Sequence, residues 1–261
     1  MADTFLKIEQ SDKAGVLLVT LARPPVNALS LAFFKELKSF FENIDASHPD
    51  ACAIVLTGEG KFFSAGADVK ELAERTTESQ LARSVFSRGT FAAIRNCPVP
   101  VVCALNGAAI GAGTVVAASC DVILASETAT MALTEVMVGV LGGVRHTNRM
   151  LPEKIARYMA LTGRKVDAAA LFRHGAVQDV YPPETLIAEA LELAGDIARH
   201  SPTTIRLMKE AINLTEDLPL TEGYRVEQLF TTLASSMPDS KEASSAFLEK
   251  RTPVWQKGVK F

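Results

Sequence analysis

Apolar positions along this chain recur at two spacings, and the change from one to the other marks its elements. Residues 16–21, VLLVTL, are rich in β-branched side chains and alternate weakly, which predicts a strand that Arg23-Pro24-Pro25 brings to a stop. Behind Ser30, a residue able to cap a helix, Phe33, Phe34, Leu37, Phe40, Phe41 and Ile44 repeat at helical spacing. They predict an amphipathic helix reaching about Asp45, with the phenylalanines in the core. Residues 51–56 predict a short buried strand, and GEGKFFSAGADVKELAER at 58–75 predicts a glycine-punctuated loop entering a helix near Asp68. A further helix is expected over 79–96, closed by Cys97-Pro98. The order then repeats: an apolar run at 99–105 leads into NGAAIGAGTVVAASCD at 106–121, which reads as strand, tight turn and helix.

Short strands are predicted at 122–125 and 130–133, and a helix from Arg145 to Leu151. Helical spacing dominates afterwards, over 152–163, 167–174, 183–199, 202–216, 220–236 and 240–250, with only 177–181 reading as strand before the tail RTPVWQKGVKF. The shift from mixed α/β to all-helical near residue 195 predicts a core at 1–195 and a helical region at 196–261 that covers the core or packs on another subunit.

The glycine-rich turns bring in the chemistry. A turn entering a helix leaves N–H groups unpaired, and such donors suit a bound anion or an oxyanion that develops during reaction. Gly111 and Gly113 give only G-x-G, with Val116 where a dinucleotide fingerprint has its third glycine, so that reading is weak. Glycines placed for close helix–strand packing are the plain alternative. Two strand–turn–helix units also allow one donor from each to converge on a single carbonyl oxygen, against the alternative of two ordinary α/β turns. Glu135 stands in the otherwise uncharged run 129–144, so it is either a solvated loop residue or a carboxylate in an apolar pocket, suited to proton transfer. His146 has no partner at a telling spacing and reads as a satisfied polar residue.

Composition limits the rest. With 261 residues and 48% hydrophobic content the chain buries a sizeable core, and a net charge of −3 argues against a broad nucleic-acid surface. An anionic ligand must therefore be met by a few local lysines or arginines. The uncharged stretch 97–120 is cut by Pro98, Pro100, Asn106 and glycines into pieces shorter than the ~20 residues of a spanning helix, so no membrane span is expected. MADTFLKIEQ carries no basic segment ahead of an apolar one, and no secretory signal is expected. Cys52, Cys97, Cys103 and Cys120 lack C-x-x-C spacing and read as reduced residues of a cytoplasmic protein, with no metal site.

Phe63-Ser64-Ala65-Gly66-Ala67-Asp68-Val69-Lys70-Glu71 and the segment from Asn106-Gly107 through Gly113, closed by Cys120-Asp121, resemble the two signature segments of the crotonase (enoyl-CoA hydratase/isomerase) superfamily. The resemblance extends from Arg23-Pro24 to Phe247-Leu248-Glu249-Lys250-Arg251. It implies an α/β fold, a crotonase-like spiral of ββα units with a C-terminal helical trimerisation region, assembled as a homotrimer or a hexamer. It implies acyl-CoA substrates, no separate cofactor, and a thioester carbonyl held by two backbone N–H groups, which fall on Ala67 and Ala112. CoA contacts carry over to Arg23, to Ala65, Ala67, Asp68, Val69 and Lys70, to Ala112, and to Phe247 and Lys250, the last two reaching a neighbouring subunit's ligand. Of the two acid/base glutamates in the family's hydratases, one matches Glu135 and the other position holds Val115, so a single-glutamate member is expected. The run Gly142-Gly143-Val144-Arg145-His146 also departs from the hydratase pattern. Isomerisation or hydration of an enoyl-CoA is implied, with a non-catalytic acyl-CoA binder, or a lyase, decarboxylase or thioesterase on the same scaffold, as alternatives.

Overall fold

A computed structural model describes residues 4–256. The first three residues of the segment read for a secretory signal, and the last five of the C-terminal tail, lie outside the described residues. In chain order the structure begins with β1 (Leu6–Gln10), β2 (Val16–Leu21), α1 (Leu31–Glu42), α2 (Ile44–Ser47), β3 (Ala53–Gly58), β4 (Phe62–Ser64), α3 (Val69–Ala73) and α4 (Thr77–Arg95). Next come β5 (Val101–Leu105), β6 (Ala108–Ile110), α5 (Ala112–Ala118), β7 (Val122–Ser126), β8 (Thr130–Ala132), a 3-10 turn at Glu135–Val138 and α6 (Val144–Thr147). It continues through α7 (Glu153–Thr162), β9 (Val166–Asp167), α8 (Ala168–Arg173), β10 (Asp179–Tyr181) and α9 (Leu186–Ala198) to α10 (Pro202–Thr215), α11 (Leu220–Ser236) and α12 (Pro238–Glu249).

Two sheets organise these elements. One has the order β1-β2-β3-β5-β7-β10, the other β4-β6-β8-β9. Among the described residues, only the β1/β2 hairpin and the β8/β9 pair are antiparallel. Each repeat therefore places its first strand (β3, β5, β7) in the large sheet and its second (β4, β6, β8) in the small one before entering helix or 3-10 turn, which is the spiral of ββα units that the resemblance implies. Every residue of β3 and β5 is buried, as expected for parallel strands covered on both faces. Ile54, Leu56, Val101 and Cys103 join the phenylalanines of α1 in the main core, whereas Ala53, Val55, Val102 and Ala104 meet Leu186, Ala190 and Ala194 of α9 on the other face.

Ser30 caps α1 by accepting from the N–H of Phe33 at 3.1 Å, and Asp68 caps α3 by accepting from Lys70 N at 3.0 Å, as the sequence suggests. Four strands have little sequence signal. β1 is an edge strand with one buried residue, and β4, β6 and β9 are too short to show a period. The single tight turn expected after residue 105 thus contains a short strand, β6, before α5. The helix expected from Arg145 to Leu151 is one turn, Val144–Thr147, and the helix expected from residue 183 begins at Leu186.

Residue 195 lies within α9. Beyond it, α10 is tied to the core: Lys209, almost fully buried, donates to Val99 O at 3.1 Å and pairs with Asp121 at 2.7 Å, and Arg206 pairs with Asp45 at 2.7 Å. In contrast, α11 buries only Gly223 among its residues and exposes Leu220, Tyr224, Leu229 and Leu233. No helix among the described residues is long and apolar enough to cross a membrane, and none of their His, Cys, Asp and Glu side chains cluster in threes for a metal.

Candidate active site

The parallel pairing of β4 with β6 sets Phe62 beside Ala108 and Ser64 beside Ala109, so the turns that follow the two strands are neighbours. Buried polar groups fix the first turn. Ser64 Oγ donates to Asn27 O at 2.7 Å and accepts from Gly66 N at 3.2 Å, and Ala65 N donates to Val26 O at 2.8 Å. Leu29 then bridges across Ala67, its N–H donating to Gly66 O at 2.7 Å and its carbonyl accepting from Asp68 N at 3.2 Å. A parallel bridge of this kind engages the peptide groups flanking Ala67 and leaves the Ala67 N–H out of the ladder. In the second turn Gly111, at φ +53°, donates to Ala132 O at 2.8 Å, and Ala112 opens α5, so its N–H has no acceptor within the helix.

Contact between the turns depends on Gly66. It sits at φ +81°, and a Cβ there would lie 2.3 Å from Ile110 O and 3.2 Å from Ala112 N. Ala67 and Ala112 accordingly line one cavity, with a volume of about 320 Å³, together with Ala65, Val69, Ile110 and Glu135.

Glu135 opens the 3-10 turn after β8, and its carboxylate is wedged between two glycines. A Cβ at Gly111 would lie 2.7 Å from its Oε1, and one at Gly142 would lie 2.5 Å from its Oε2. Oε2 is buried with no hydrogen-bond partner among the described residues, and desolvation raises the pKa above the ordinary 4.5. Of the two alternatives open for this residue, the pocketed carboxylate is the one found. Val115 is buried in the cavity wall, and Gly143 makes room for it, since a Cβ there would sit 2.0 Å from Val115 Cγ2. Among the described residues the cavity thus has one carboxylate, with the hydrocarbon of Val115 also in its lining.

The other residues expected to bind CoA fall into three groups. Ala65 and Val69 line the cavity. Arg23 and Asp68 face each other at 2.7 Å, Arg23 also donating to Ala28 O at 2.8 Å, so together they brace the first turn. Burial, which alone would raise the pKa of Asp68, is outweighed by hydrogen bonds from Arg23 and Lys70 N, and the carboxyl titrates below its usual range. Lys70 is exposed on α3, and Phe247 and Lys250 are exposed on α12 and its cap, outside the set of residues lining the cavity.

His146 departs from expectation. Its ring packs edge-on against Phe91 at 5.4 Å, but Nδ1 is buried without a partner among the described residues. Desolvation and the charges of Arg149, Arg95 and Arg145 push its pKa below 6.5. Sequence reasoning passes over Asn27 and Arg83. Asn27 is fully buried at φ +51°, its Nδ2 donating to Glu59 O and Phe62 O, both at 2.9 Å. Its position directly after Pro24-Pro25-Val26 was the available signal.

On a spiral of ββα units, two adjacent helix-entry turns and one desolvated carboxylate thus share a cavity. The profile of the enoyl-CoA hydratase/isomerase family matches residues 11–258, and the chain belongs to that family. It is 35% identical over 247 residues to 2,3-dehydroadipyl-CoA hydratase of Escherichia coli, covering 93% of this chain and 96% of that protein. It is 37% identical over 244 residues to (7aS)-7a-methyl-1,5-dioxo-2,3,5,6,7,7a-hexahydro-1H-indene-carboxyl-CoA hydrolase of Mycobacterium tuberculosis, covering 90% and 96%. Among solved structures, an enoyl-CoA hydratase from Bacillus anthracis superposes with a TM-score of 0.91 at 32% identity, covering 97% of this chain and 99% of that one. The crotonase fold and an acyl-CoA-processing role are thereby shown.

Proposed function

We propose that this protein transforms an enoyl-CoA by stabilising a thioester enolate with the N–H groups of Ala67 and Ala112 and moving a proton with Glu135 alone. The observation that carries this reading is a desolvated Glu135 carboxylate, its Oε2 without a hydrogen-bond partner among the described residues, in one cavity with two adjacent turns. Polarisation of the thioester carbonyl by both donors acidifies the neighbouring carbon, and loss of one such donor typically costs ~10²–10³ in rate. Glu135 takes the proton, becomes neutral in an environment that favours the neutral form, and returns it to another carbon of the acyl chain. One carboxylate is sufficient for that sequence, so isomerisation is placed first. Val115 neither holds nor moves a proton and cannot position a second side of a water molecule.

Hydration is the second reading, favoured by relatives named as hydratases. It requires Glu135 to hold water with a backbone group in place of a second glutamate. A side-by-side assay of 3-enoyl-CoA isomerisation and 2-enoyl-CoA hydration, with free CoA release followed in both, separates the two. Hydration far outpacing isomerisation reverses their order. In Glu135→Gln, turnover should fall by ~10²–10⁴ while thioester affinity survives; undiminished turnover overturns the assignment.

Around that site we propose contacts to CoA from Arg23, Ala65 to Lys70 and Ala112, with Phe247 and Lys250 serving a neighbouring subunit's ligand. We further propose a cytoplasmic enzyme that needs no cofactor besides its CoA-linked substrate. Its helices over 196–261 act as the assembly region of a homotrimer or a dimer of trimers, the reading favoured by the exposed apolar side chains of α10 and α11.

A further inference from the structure

One wall of the cavity is unlike the rest. Away from α4 its lining is apolar side chains and glycine, with Thr134 and Glu135 the polar exceptions, but α4 turns Gln80, Arg83, Ser84 and Ser87 into the same space. These residues sit at i, i+3, i+4 and i+7, which is a single helix face. On this stripe Arg83 is buried, Gln80 and Ser87 are half-buried and Ser84 is exposed at the open side of the cavity, whereas the same helix is apolar further on, at Phe91, Ala93 and Ile94. A saturated alkyl group lying against the polar half would bury hydrogen-bonding groups without answering them.

The state of each group says what it accepts. Gln80 Oε1 is buried and has no hydrogen-bond partner among the described residues. Ser84 Oγ donates to Gln80 O at 2.9 Å and Ser87 Oγ to Ser84 O at 3.3 Å, so both hydroxyls retain lone pairs for an incoming donor. Arg83 carries the wall's charge, and that charge is already balanced: Nη1 lies 2.6 Å from Glu71 Oε2, and Nη2 donates to Leu29 O at 2.7 Å. An acyl group ending in a carboxylate would enter a cavity that already contains Glu135 and, among the described residues, has no spare cation.

We infer that the acyl group this cavity takes carries a neutral oxygen function, a hydroxyl or a ketone, on the part that meets α4, and that Gln80, Ser84 and Ser87 are the residues that read it. This rests on the acyl-CoA reading of the site. A hydroxyl donates to Gln80 Oε1 or a serine oxygen and accepts from the Gln80 amide. A ketone accepts from that amide, or from a serine hydroxyl turned off the helix.

The test uses saturated thioesters, so that binding is read without turnover. Calorimetry on the whole protein compares a medium-chain acyl-CoA, its distal hydroxy and keto analogues, and the corresponding dicarboxylic mono-thioester. At least one neutral oxygenated analogue should bind ~10-fold or more tighter than the alkyl compound, since a buried polar group left unpaired costs of that order. Gln80→Leu should narrow the difference to ~2-fold or less and Ser87→Ala should reduce it, with alkyl-CoA affinity undiminished or raised as the sign that the cavity is intact. Equal or tighter binding of the alkyl compound, tightest binding of the dicarboxylic one, or an undiminished preference in both variants overturns the inference. Each of those results leaves the enolate chemistry standing. Full turnover by Glu135→Gln would remove that chemistry and leave the binding preference as measured.

Discussion

Gly66 is the residue on which the geometry of the site turns. Its positive φ is open to an L-residue only with strain, and its missing Cβ is what lets Ile110 O approach. Gly66→Ala is therefore expected to separate the two turns, lowering turnover by ~10² or more, the scale for a lost oxyanion donor. Thermal unfolding should show a loss of about 1–3 kcal/mol from the strain. Retained kcat would show that the two N–H groups do not act together. Glu135 gives a pH prediction. Its carboxyl must be ionised to take a proton, so kcat/KM should fall on the acid side with an apparent pKa above 4.5. The sign for stability is the reverse of that for activity. A carboxyl whose folded-state pKa is raised favours the folded state below its unfolded value and loses that contribution as pH rises through the folded value. Glu135→Gln should thus melt above the wild type at pH 8 and lose the advantage below pH 4.5. A lower melting temperature at pH 8 would contradict the desolvation argument.

Helix α10 ties the C-terminal region to the strands that carry the second turn. Lys209 reaches from α10 to Asp121, whose Oδ2 also accepts from Val101 N at 2.7 Å, so one carboxylate links α10, the start of β5 and the segment before β7. Lys209→Met leaves Asp121 without its cation, and unfolding by denaturant should report a loss of about 2–3 kcal/mol, reduced from a fully buried pair because Asp121 is partly exposed. Urea unfolding with an unchanged midpoint would mean that the pair contributes nothing net. Helix signals were legible in the sequence wherever a stripe of apolar residues ran for three turns or more, as in α1, α10 and α11. Among the elements of two or three residues, β8 and β10 fall within expected strands, but β4 and β6, inside glycine-punctuated segments, and β9, at the start of an expected helix, were not legible. Their existence depends on pairing between segments far apart in the chain.

For the whole molecule, the exposed side chains of Met208, Ile212, Leu220, Leu229 and Leu233 on α10 and α11 have a consequence in solution. Light scattering should give a mass of about 84 kDa or twice that, three or six chains of 28.0 kDa, and Leu229→Lys should shift it toward the single chain. A wild type that stays at the single-chain mass would overturn the assembly reading. The order of the longer strands and helices and the isolated glutamate at 135 were readable from residue types in sequence, and the family resemblance gave the valine at 115 its meaning. Local propensity and spacing act over a few residues and are written directly into the chain. Other properties of the site arise only when distant segments meet. These are the approach of Gly66 to Ile110, the glycine walls around the Glu135 carboxylate, the orphaned Nδ1 of His146, and the entry of a polar face of α4 into the cavity. They depend on burial and on distances between atoms dozens of residues apart, which the parallel pairing of β4 with β6 sets and which no local pattern encodes.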